Sequence, residues 1–509
     1  MNHQKVAFVP AFVFSLVLAS ACLAAPAPPA PAIAAESIEN WYRMTIDDTP
    51  AGWMMTREER RGDQRLTSSE TELVLSRGQQ EVTMSIASRF TESADGQPIS
   101  GFLRQGLAGQ PMETTYTFEG DVVTISNRQN GNVVGVRETA LPAGEWLTPG
   151  RAADYVAERA LAGDDEITVT TLDLQVGLRP VEIRWVRQGE DTLTIDGEPL
   201  ATTRWAQAVD AMAGMVSTVH LDGEGSIVRT ETSLMGIALS ATRTSKDIAL
   251  GTASEAPELL TRSLITPSKP IAAPRKTRQA SYRLHLVPGA DLDTLSNANI
   301  PSVGHQRVET EENTIRVTVD LDGPPVTAEP LSTAERERHL RATPFLDHTS
   351  PEIRELIGPA LADTSDDPRA RAEALRTFVH GHLEIRNLDT LLATATEVAA
   401  TRRGDCTEHA VLLAAMLRGA DLPSRVAVGL VFVDTFAGAT DVFGYHMWTQ
   451  VWIDDHWLDL DAVFATPFDA THITLGSSPL DEENSALLDT MDVLPLIGSL
   501  EIDVLETEK

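Results

Sequence analysis

The sequence predicts an α+β protein, with an N-terminal antiparallel β-sheet region over residues 38–260 and a C-terminal α+β domain over residues 334–509. Short apolar and polar runs alternate through the first region and are separated by Gly and Asp turns, a pattern typical of antiparallel strands. In the C-terminal part, an apolar helix over 411–417 is followed by a strand-like run over 427–433. The chain has 509 residues, which is enough for about three domains.

The first 25 residues have the composition of an export signal. Lys5 supplies a positive start, the apolar run 6–18 is too short to span a membrane, and Ala19-Ser20-Ala21 is a small-residue cleavage site. Residues 26–37 are rich in Ala and Pro and predict an extended spacer. We therefore expect an exported protein, located in the bacterial periplasm or cell envelope.

Cys22 leaves a second possibility for the mature N-terminus. The sequence Leu18-Ala19-Ser20-Ala21-Cys22 resembles a bacterial lipoprotein box, although Ala19 stands where Leu is usual. Plain signal cleavage and a lipid anchor at Cys22 are thus both open. No later apolar stretch reaches about 18 residues, so no transmembrane helix is predicted.

Turn signals organise the β-rich region. Asp196-Gly197 is a hairpin signal, and short helices are predicted over 152–161 and 205–212. The strands fall into two similar halves, at about 38–145 and 165–250. The region as a whole is expected to serve as a packed sheet, either as a spacer or as a surface for a partner. A curved sheet that holds an apolar ligand in its concave face is the alternative.

A Pro-rich linker is predicted over residues 261–280, followed by a β-strand segment over 281–333. The linker contains a basic cluster, Arg275-Lys276-Thr277-Arg278, which we interpret as a solvated stretch. Asp291 and Asp293 have the start of a calcium-loop pattern, but Leu295 occupies the next ligand position, which excludes an EF-hand.

Charge and cysteine content exclude several classes of protein. The net charge of −33 argues against binding to nucleic acid or to anionic lipid. With only two cysteines, Cys22 and Cys406, a disulfide-based scaffold is excluded. The sequence contains no metal or cofactor motif, so neither is predicted.

The most informative stretch contains Cys406, a predicted helix start capped by Asp405. A thiol at a helix N-terminus lies at the positive end of the helix dipole, which favours the nucleophilic thiolate. His446 follows 40 positions later on an alternating strand. A turn at 454–456 would pair the next strand back against it, and a carboxylate on that strand could orient the imidazole.

These residues resemble the transglutaminase-like superfamily, which has a papain-like fold. Four motifs carry the resemblance, in order: GDCTEHA at 404–410, PSRVAVG at 423–429, HMW at 446–448 and WLDLD at 457–461. The resemblance covers about residues 340–475. It implies Cys406 as nucleophile, His446 as general base and Asp461 as the orienting acid. Asp459 remains the alternative acid, because Ala462 follows Asp461 where the family often has Pro.

The resemblance implies an enzyme that attacks peptide or amide bonds through a thioester, with a protein or peptide as substrate. Hydrolysis, as in a protease or amidase, is the favoured outcome. Crosslinking by a transglutaminase and a non-catalytic envelope binding module are the alternatives. His409 is expected to pack near the site, and Asn387 is a candidate donor to the oxyanion.

Overall fold

The computed structural model describes residues 37–509 with the exception of 78–79, 108–110, 130, 211–215, 235–236, 252–263, 288–294, 296–298, 312, 385–392, 437 and 482–495. The expected signal, the spacer, Cys22, the calcium-loop aspartates and Asn387 lie outside the described residues. The chain divides into two compact units. The first is formed mainly by residues up to 257, and the second mainly by residues 258–509.

The first unit is built on one antiparallel sheet of 14 strands. Its strands are β1 Ser37–Ile46, β2 Thr49–Arg61, β3 Gln64–Arg77, β4 Gln80–Ser93, β5 Pro98–Leu107, β6 Met112–Glu119, β7 Val122–Gln129, β8 Asn132–Ala140, β9 Glu166–Leu172, β10 Pro180–Ile195, β11 Glu198–Val209, β12 Val216–Leu221, β13 Ile227–Leu234 and β14 Ile237–Thr244. Sequential strands are neighbours except β8 and β9, which stand at the two ends of the order, and β1 pairs with both β2 and β14. This pairing joins the ranges of the two predicted halves into a single sheet.

Two helices accompany this sheet: α1 (Pro149–Ala162) packs against β9, and α2 (Lys246–Leu250) packs against β1. The helix predicted over 205–212 is wrong, because strand β11 runs through Trp205 to Val209. Trp205 and Gln207 are buried on one face of that strand, which pairs with β10 and β12 on its two sides. Pairing on both edges outweighs the helical propensity of this Ala-rich run.

A four-stranded antiparallel sheet opens the second unit. Its order is β16-β17-β15-β22, with β15 Gln279–Leu286, β16 Gln306–Glu311, β17 Thr314–Asp320 and β22 Leu500–Glu508. The strand segment after the linker therefore pairs with the last strand of the chain. Gln306 connects this sheet to its neighbour, since its side chain both donates to the carbonyl of Thr474 and accepts from the Thr474 amide.

The second sheet of this unit has the order β20-β19-β18-β21 and is entirely antiparallel. Its strands are β18 Ser424–Phe436, β19 Ala439–Ile453, β20 His456–Leu460 and β21 His472–Ser478. The helices are α3 Thr333–Leu340, α4 Pro351–Leu361, α5 Pro368–His382, α6 Ala395–Thr401 and α7 Cys406–Gly419. The predicted turn at 454–456 joins β19 to β20 as a hairpin, and this prediction is confirmed.

Helix α7 is the centre of the second unit. It is buried from Cys406 to Arg418 and packs against β18, β19 and the surrounding helices. The α+β class, with an N-terminal antiparallel sheet and a C-terminal α+β domain, is confirmed. Across the part of the chain that is described, none of the helices combines the length and apolar character needed to cross a membrane.

Candidate active site

Cys406 is the first residue of α7 and is only 1% exposed. The residue before it, Asp405, caps the helix by accepting a hydrogen bond from the Thr407 amide at 3.0 Å. The amides of a first helical turn have no acceptor within the helix, which makes this end electropositive. The thiol is therefore held where a negative charge is stabilised.

Glu408 completes the cap from the other side. Its carboxyl accepts hydrogen bonds from the amides of Asp405 and Ala393, both at 2.9 Å. Burial, together with the nearby charge of Asp405, raises the pKa of Glu408 to about 8. Glu408 thus satisfies two buried amides, and its surroundings disfavour a second negative charge beside Cys406.

Helix α7 is fixed to strand β19 by a side-chain hydrogen bond. Thr449 Oγ1 donates to the carbonyl of Ala410 at 3.0 Å, one helical turn beyond Cys406. Thr449 lies three residues after His446 on the same strand. The helix that begins at the thiol and the strand that carries the imidazole are therefore held in a fixed register.

His446 and Asp461 are in direct contact. Nε2 of His446 lies 2.7 Å from Oδ2 of Asp461, and both side chains are buried. Asp461 Oδ1 accepts from the Val463 amide at 2.7 Å, so the carboxylate receives donors on both oxygens. Burial alone would raise the pKa of Asp461, but the neighbouring His446 and His472 rings hold it well below its usual range.

The pairing with Asp461 settles which nitrogen of His446 carries the proton in the neutral ring. Nε2 donates to the carboxylate, so Nδ1 is left as the basic nitrogen. Nδ1 is buried and has no hydrogen-bond partner among the residues that the structure describes. A base with an unsatisfied lone pair in a buried site is suited to accept a proton from a nearby group.

Asp459, the alternative acid, has different partners. One of its oxygens accepts hydrogen bonds from Trp448 Nε1 and Gln450 Nε2, each at 2.8 Å. Burial raises the pKa of Asp459, an effect partly offset by these two donors. Asp459 thus holds the side chains of Trp448 and Gln450 on β19, whereas Asp461 contacts the His446 ring.

The loop after Asp461 is held by a buried arginine from α5. Arg376 Nη1 donates to the carbonyl of Asp461 at 3.2 Å and to that of Phe464 at 2.8 Å. The Arg376 side chain also pairs with Glu373 on its own helix. This anchoring restrains the backbone on which the Asp461 carboxylate is carried.

His409 is buried at the start of α7, and its Nδ1 hydrogen-bonds the carbonyl of Asp405 at 2.5 Å. It therefore bonds to the backbone of the cap.

A second histidine, His472, approaches the same carboxylate and was not singled out by the sequence. Its Nε2 lies 3.1 Å from Asp461 Oδ2, and its Nδ1 lies 3.0 Å from the carbonyl oxygen of Asp469. His472 begins strand β21, which pairs with β18. The Asp-x-Thr-His run at 469–472 is the one local signal, because Asp469 forms a turn by accepting from the Thr471 amide and hydroxyl.

The atoms of His446, Asp461 and His472 that meet here all lie within 4.8 Å of one another, a donor set that Zn²⁺ can use. Ligands on one tetrahedral zinc stand about 3.3 Å apart, as follows from zinc–ligand distances of about 2.0–2.1 Å. The observed nitrogen–oxygen distances of 2.7 and 3.1 Å are shorter and fit hydrogen bonds. We therefore interpret the cluster as a proton-bearing network.

The comparison with protein families agrees with the architecture of the second unit. Residues 357–462 match the family model of the transglutaminase-like superfamily. The comparison with curated proteins found no match.

Solved structures give distant likenesses. A protein with a domain of unknown function from Brucella abortus is 13% identical, with 41% of this chain and 95% of that chain covered and a TM-score of 0.31. A candidate cysteine protease from Cytophaga hutchinsonii is 11% identical, covering 45% and 90%, with a TM-score of 0.28. The periplasmic domain of TgpA from Pseudomonas aeruginosa is 14% identical, covering 40% and 93%, with a TM-score of 0.25. On the family match, the C-terminal unit of this chain contains a transglutaminase-like domain.

Proposed function

We propose that the protein is an exported thiol enzyme that cleaves peptide or amide bonds, with Cys406 as nucleophile, His446 as general base and acid, and Asp461 as the orienting carboxylate. The observation that carries the proposal is the difference between the two ring nitrogens of His446. Its Nε2 is held by Asp461, while its Nδ1 is buried without a partner among the described residues. The thiol of Cys406, at the start of the capped helix α7, is the group from which Nδ1 would accept a proton.

The reaction follows from these roles. Nδ1 of His446 takes the thiol proton, and the Cys406 thiolate attacks the carbonyl carbon of the substrate. The imidazolium then gives this proton to the departing amine, the carbon–nitrogen bond breaks, and a thioester remains. Water, deprotonated by the same nitrogen, attacks the thioester and releases a carboxylic acid and the free thiol.

Asp461 acts on this cycle through His446. Its carboxylate fixes the tautomer in which Nδ1 is basic and stabilises the imidazolium formed in the first step. The amide of Cys406, in the first turn of α7, is the backbone donor proposed for the developing oxyanion.

Export is supported by the composition of residues 1–25, and the location proposed is the periplasm or cell envelope. The substrate proposed is a protein or peptide, because the family match is to a superfamily whose chemistry acts on amide carbonyls.

The test is an activity assay on the full chain with casein, with and without a fluorescent primary amine. Mass spectrometry of the products separates the outcomes: hydrolysis adds one water at a cleaved bond, whereas crosslinking replaces ammonia by the amine. Cys406→Ala is the control. It should abolish either reaction because it removes the nucleophile, and it should leave the fold intact because only one small side chain changes. Amine incorporation would identify a transglutaminase, and turnover that persists in Cys406→Ala would overturn the proposed nucleophile.

A further inference from the structure

We propose that His472 is a positioning residue for this site: as a buried cation between Asp461 and Asp469, it fixes the Asp461 carboxylate and moves the working range of the Cys406–His446 pair to lower pH. The inference rests on the proposed function and adds a residue to it.

The hydrogen bonds of His472 require the charged form of the ring. Each ring nitrogen lies within hydrogen-bond distance of an oxygen: Asp461 Oδ2 at 3.1 Å from Nε2, and the Asp469 carbonyl at 3.0 Å from Nδ1. The Asp469 carboxylate adds a second oxygen at 3.4 Å from Nδ1. Since a carbonyl and an ionised carboxylate only accept, both nitrogens must carry protons.

The surroundings stabilise that charge. The ring is completely buried, which disfavours a cation, yet the carboxylates of Asp469 and Asp461 raise the pKa of His472 to about 9. Burial likewise opposes ionisation of Asp469, but His472 and Arg275 lower the pKa of that carboxyl. The hydrogen-bond geometry and the two carboxylates thus both favour the charged form of the ring at neutral pH, in contrast to an ordinary histidine.

Arg275 anchors the far end of this chain of groups. Its Nη1 lies 3.0 Å from Asp469 Oδ2, its Nη2 donates to Thr471 Oγ1 at 2.9 Å, and the guanidinium stands 4.0 Å from the centre of the Phe464 ring. The basic cluster was interpreted as a solvated linker stretch, and for Arg275 this is wrong, because its side chain is only 21% exposed and hydrogen-bonds the catalytic domain. Charges thus alternate from Arg275 through Asp469 and His472 to Asp461.

The ionisable groups that interact directly with His472 come from the elements packed around it. They are His446 on β19, Asp459 on β20, Asp461 after β20 and Asp469 before β21. Behind them, Arg425 on β18 interacts with Asp459, and Asp469 interacts with Arg275 and with Tyr282 on β15. Trp448 and Phe468 close the remaining sides with their rings. Water is thereby kept from the pair, and the charge on His472 acts on His446 with little screening.

The consequence for the site has a definite sign. The centres of the His446 and His472 rings are 5.9 Å apart. A positive charge at this distance disfavours the His446 imidazolium and favours the Cys406 thiolate. Both ends of the pH range of the ion pair are therefore lower than they would be beside a neutral residue, by about two pH units at the effective dielectric constant of protein sites.

The experiment is the pH dependence of Cys406 alkylation by iodoacetamide, followed by mass spectrometry of the Cys406 peptide in the full chain. His472→Gln keeps a donor for Asp461 but removes the charge, and we expect both limbs of its profile to move up by about two pH units. His339→Gln is the matched control. His339 is also a buried histidine of this unit, and burial lowers its pKa to about 3, so the ring carries no charge to lose.

Arg275→Gln provides the test if His472→Gln does not fold, which a thermal melt will reveal. It removes a more distant positive charge on a partly exposed side chain, so we expect a smaller upward shift in the same direction. The inference would be overturned by an unshifted profile in folded His472→Gln or by an equal shift in His339→Gln. If His472→Gln is unfolded, an unshifted profile in Arg275→Gln would overturn it. Failure of the proposed function looks different, because the wild-type thiol would then titrate as an ordinary cysteine.

Discussion

His446 Nε2 lies 2.7 Å from Asp461 Oδ2, whereas Asp459, two residues earlier, accepts from Trp448 and Gln450 instead. The two neighbouring carboxylates are therefore bound to different groups. This difference gives each aspartate its own expected effect on activity.

Asp461→Asn should lower turnover by about 10- to 1000-fold, because it removes the charge that stabilises the His446 imidazolium and permits the wrong tautomer. Asp459→Asn retains an oxygen that can accept from Trp448 and Gln450, so the loss should be much smaller. Steady-state kinetics with the same casein substrate compares the two variants. A larger loss for Asp459→Asn would show that the acid of the site is assigned two residues too late.

The stability of the protein should fall as the pH rises through the range in which His472 titrates. Its pKa is raised from 6.5 to about 9 in the folded state, so its contribution is complete below pH 6.5 and lost as the pH approaches 9. The expected slope from this one group is at most about 1.4 kcal/mol per pH unit. Urea unfolding at several pH values measures it.

His472→Gln should make the slope of the unfolding free energy against pH shallower. The difference between the wild-type and variant curves separates the contribution of His472 from that of Glu408. Glu408 contributes in the same direction in both proteins, because its pKa is raised from 4.5 to about 8. Parallel curves for wild type and variant would contradict a cationic His472.

Gly429 on β18 should not tolerate a side chain. A Cβ there would lie 2.0 Å from the carbonyl oxygen of Ile473 and 2.7 Å from the Trp448 ring. Gly429→Ala should therefore destabilise the protein by about 1–3 kcal/mol or more and disturb the strand that adjoins β19. Gly381→Ala on α5 is the control: open space surrounds it, and a helical Gly-to-Ala change is neutral or stabilising by up to about 1 kcal/mol. Equal unfolding midpoints for both variants would refute the packing argument.

The mature protein purified from an envelope fraction should lack residues 1–21 or slightly more. An apolar run followed by small residues is the recognition pattern of a signal peptidase. Intact-mass measurement distinguishes plain cleavage from a mature N-terminus at Cys22 that carries acyl chains. An N-terminus at Met1 on exported protein is incompatible with either form of processing.

Local signals in the sequence were sufficient for much of the site. The cap at Asp405, the apolar helix after Cys406 and the hairpin turn at 454–456 each depend on neighbours within a few residues, so pattern and propensity can reveal them. The family motifs add the order of the elements. The same reasoning could place Asp459 and Asp461 on one strand but could not say from the residues alone which one meets His446.

The missed features depend on distant contacts. Arg275 and Thr471 are 196 positions apart, and Tyr282 and Ala470 are 188 apart, yet each pair is hydrogen-bonded. Nothing local to Arg275 distinguishes it from a solvated basic run. Strand β11 was missed for a related reason, because its pairing with β10 and β12 decides the structure of a run whose own composition favours a helix.

The central claim, an activated Cys406 paired with His446, is tested most directly by the rate of Cys406 alkylation at pH 6 in wild type and in His446→Gln. An ordinary thiol with a pKa near 8.5 is only about 0.3% ionised at that pH and reacts slowly. We predict that wild-type Cys406 reacts much faster than free cysteine at pH 6 and that His446→Gln loses this advantage. A wild-type rate that rises only near pH 8.5 and does not depend on His446 would contradict the account.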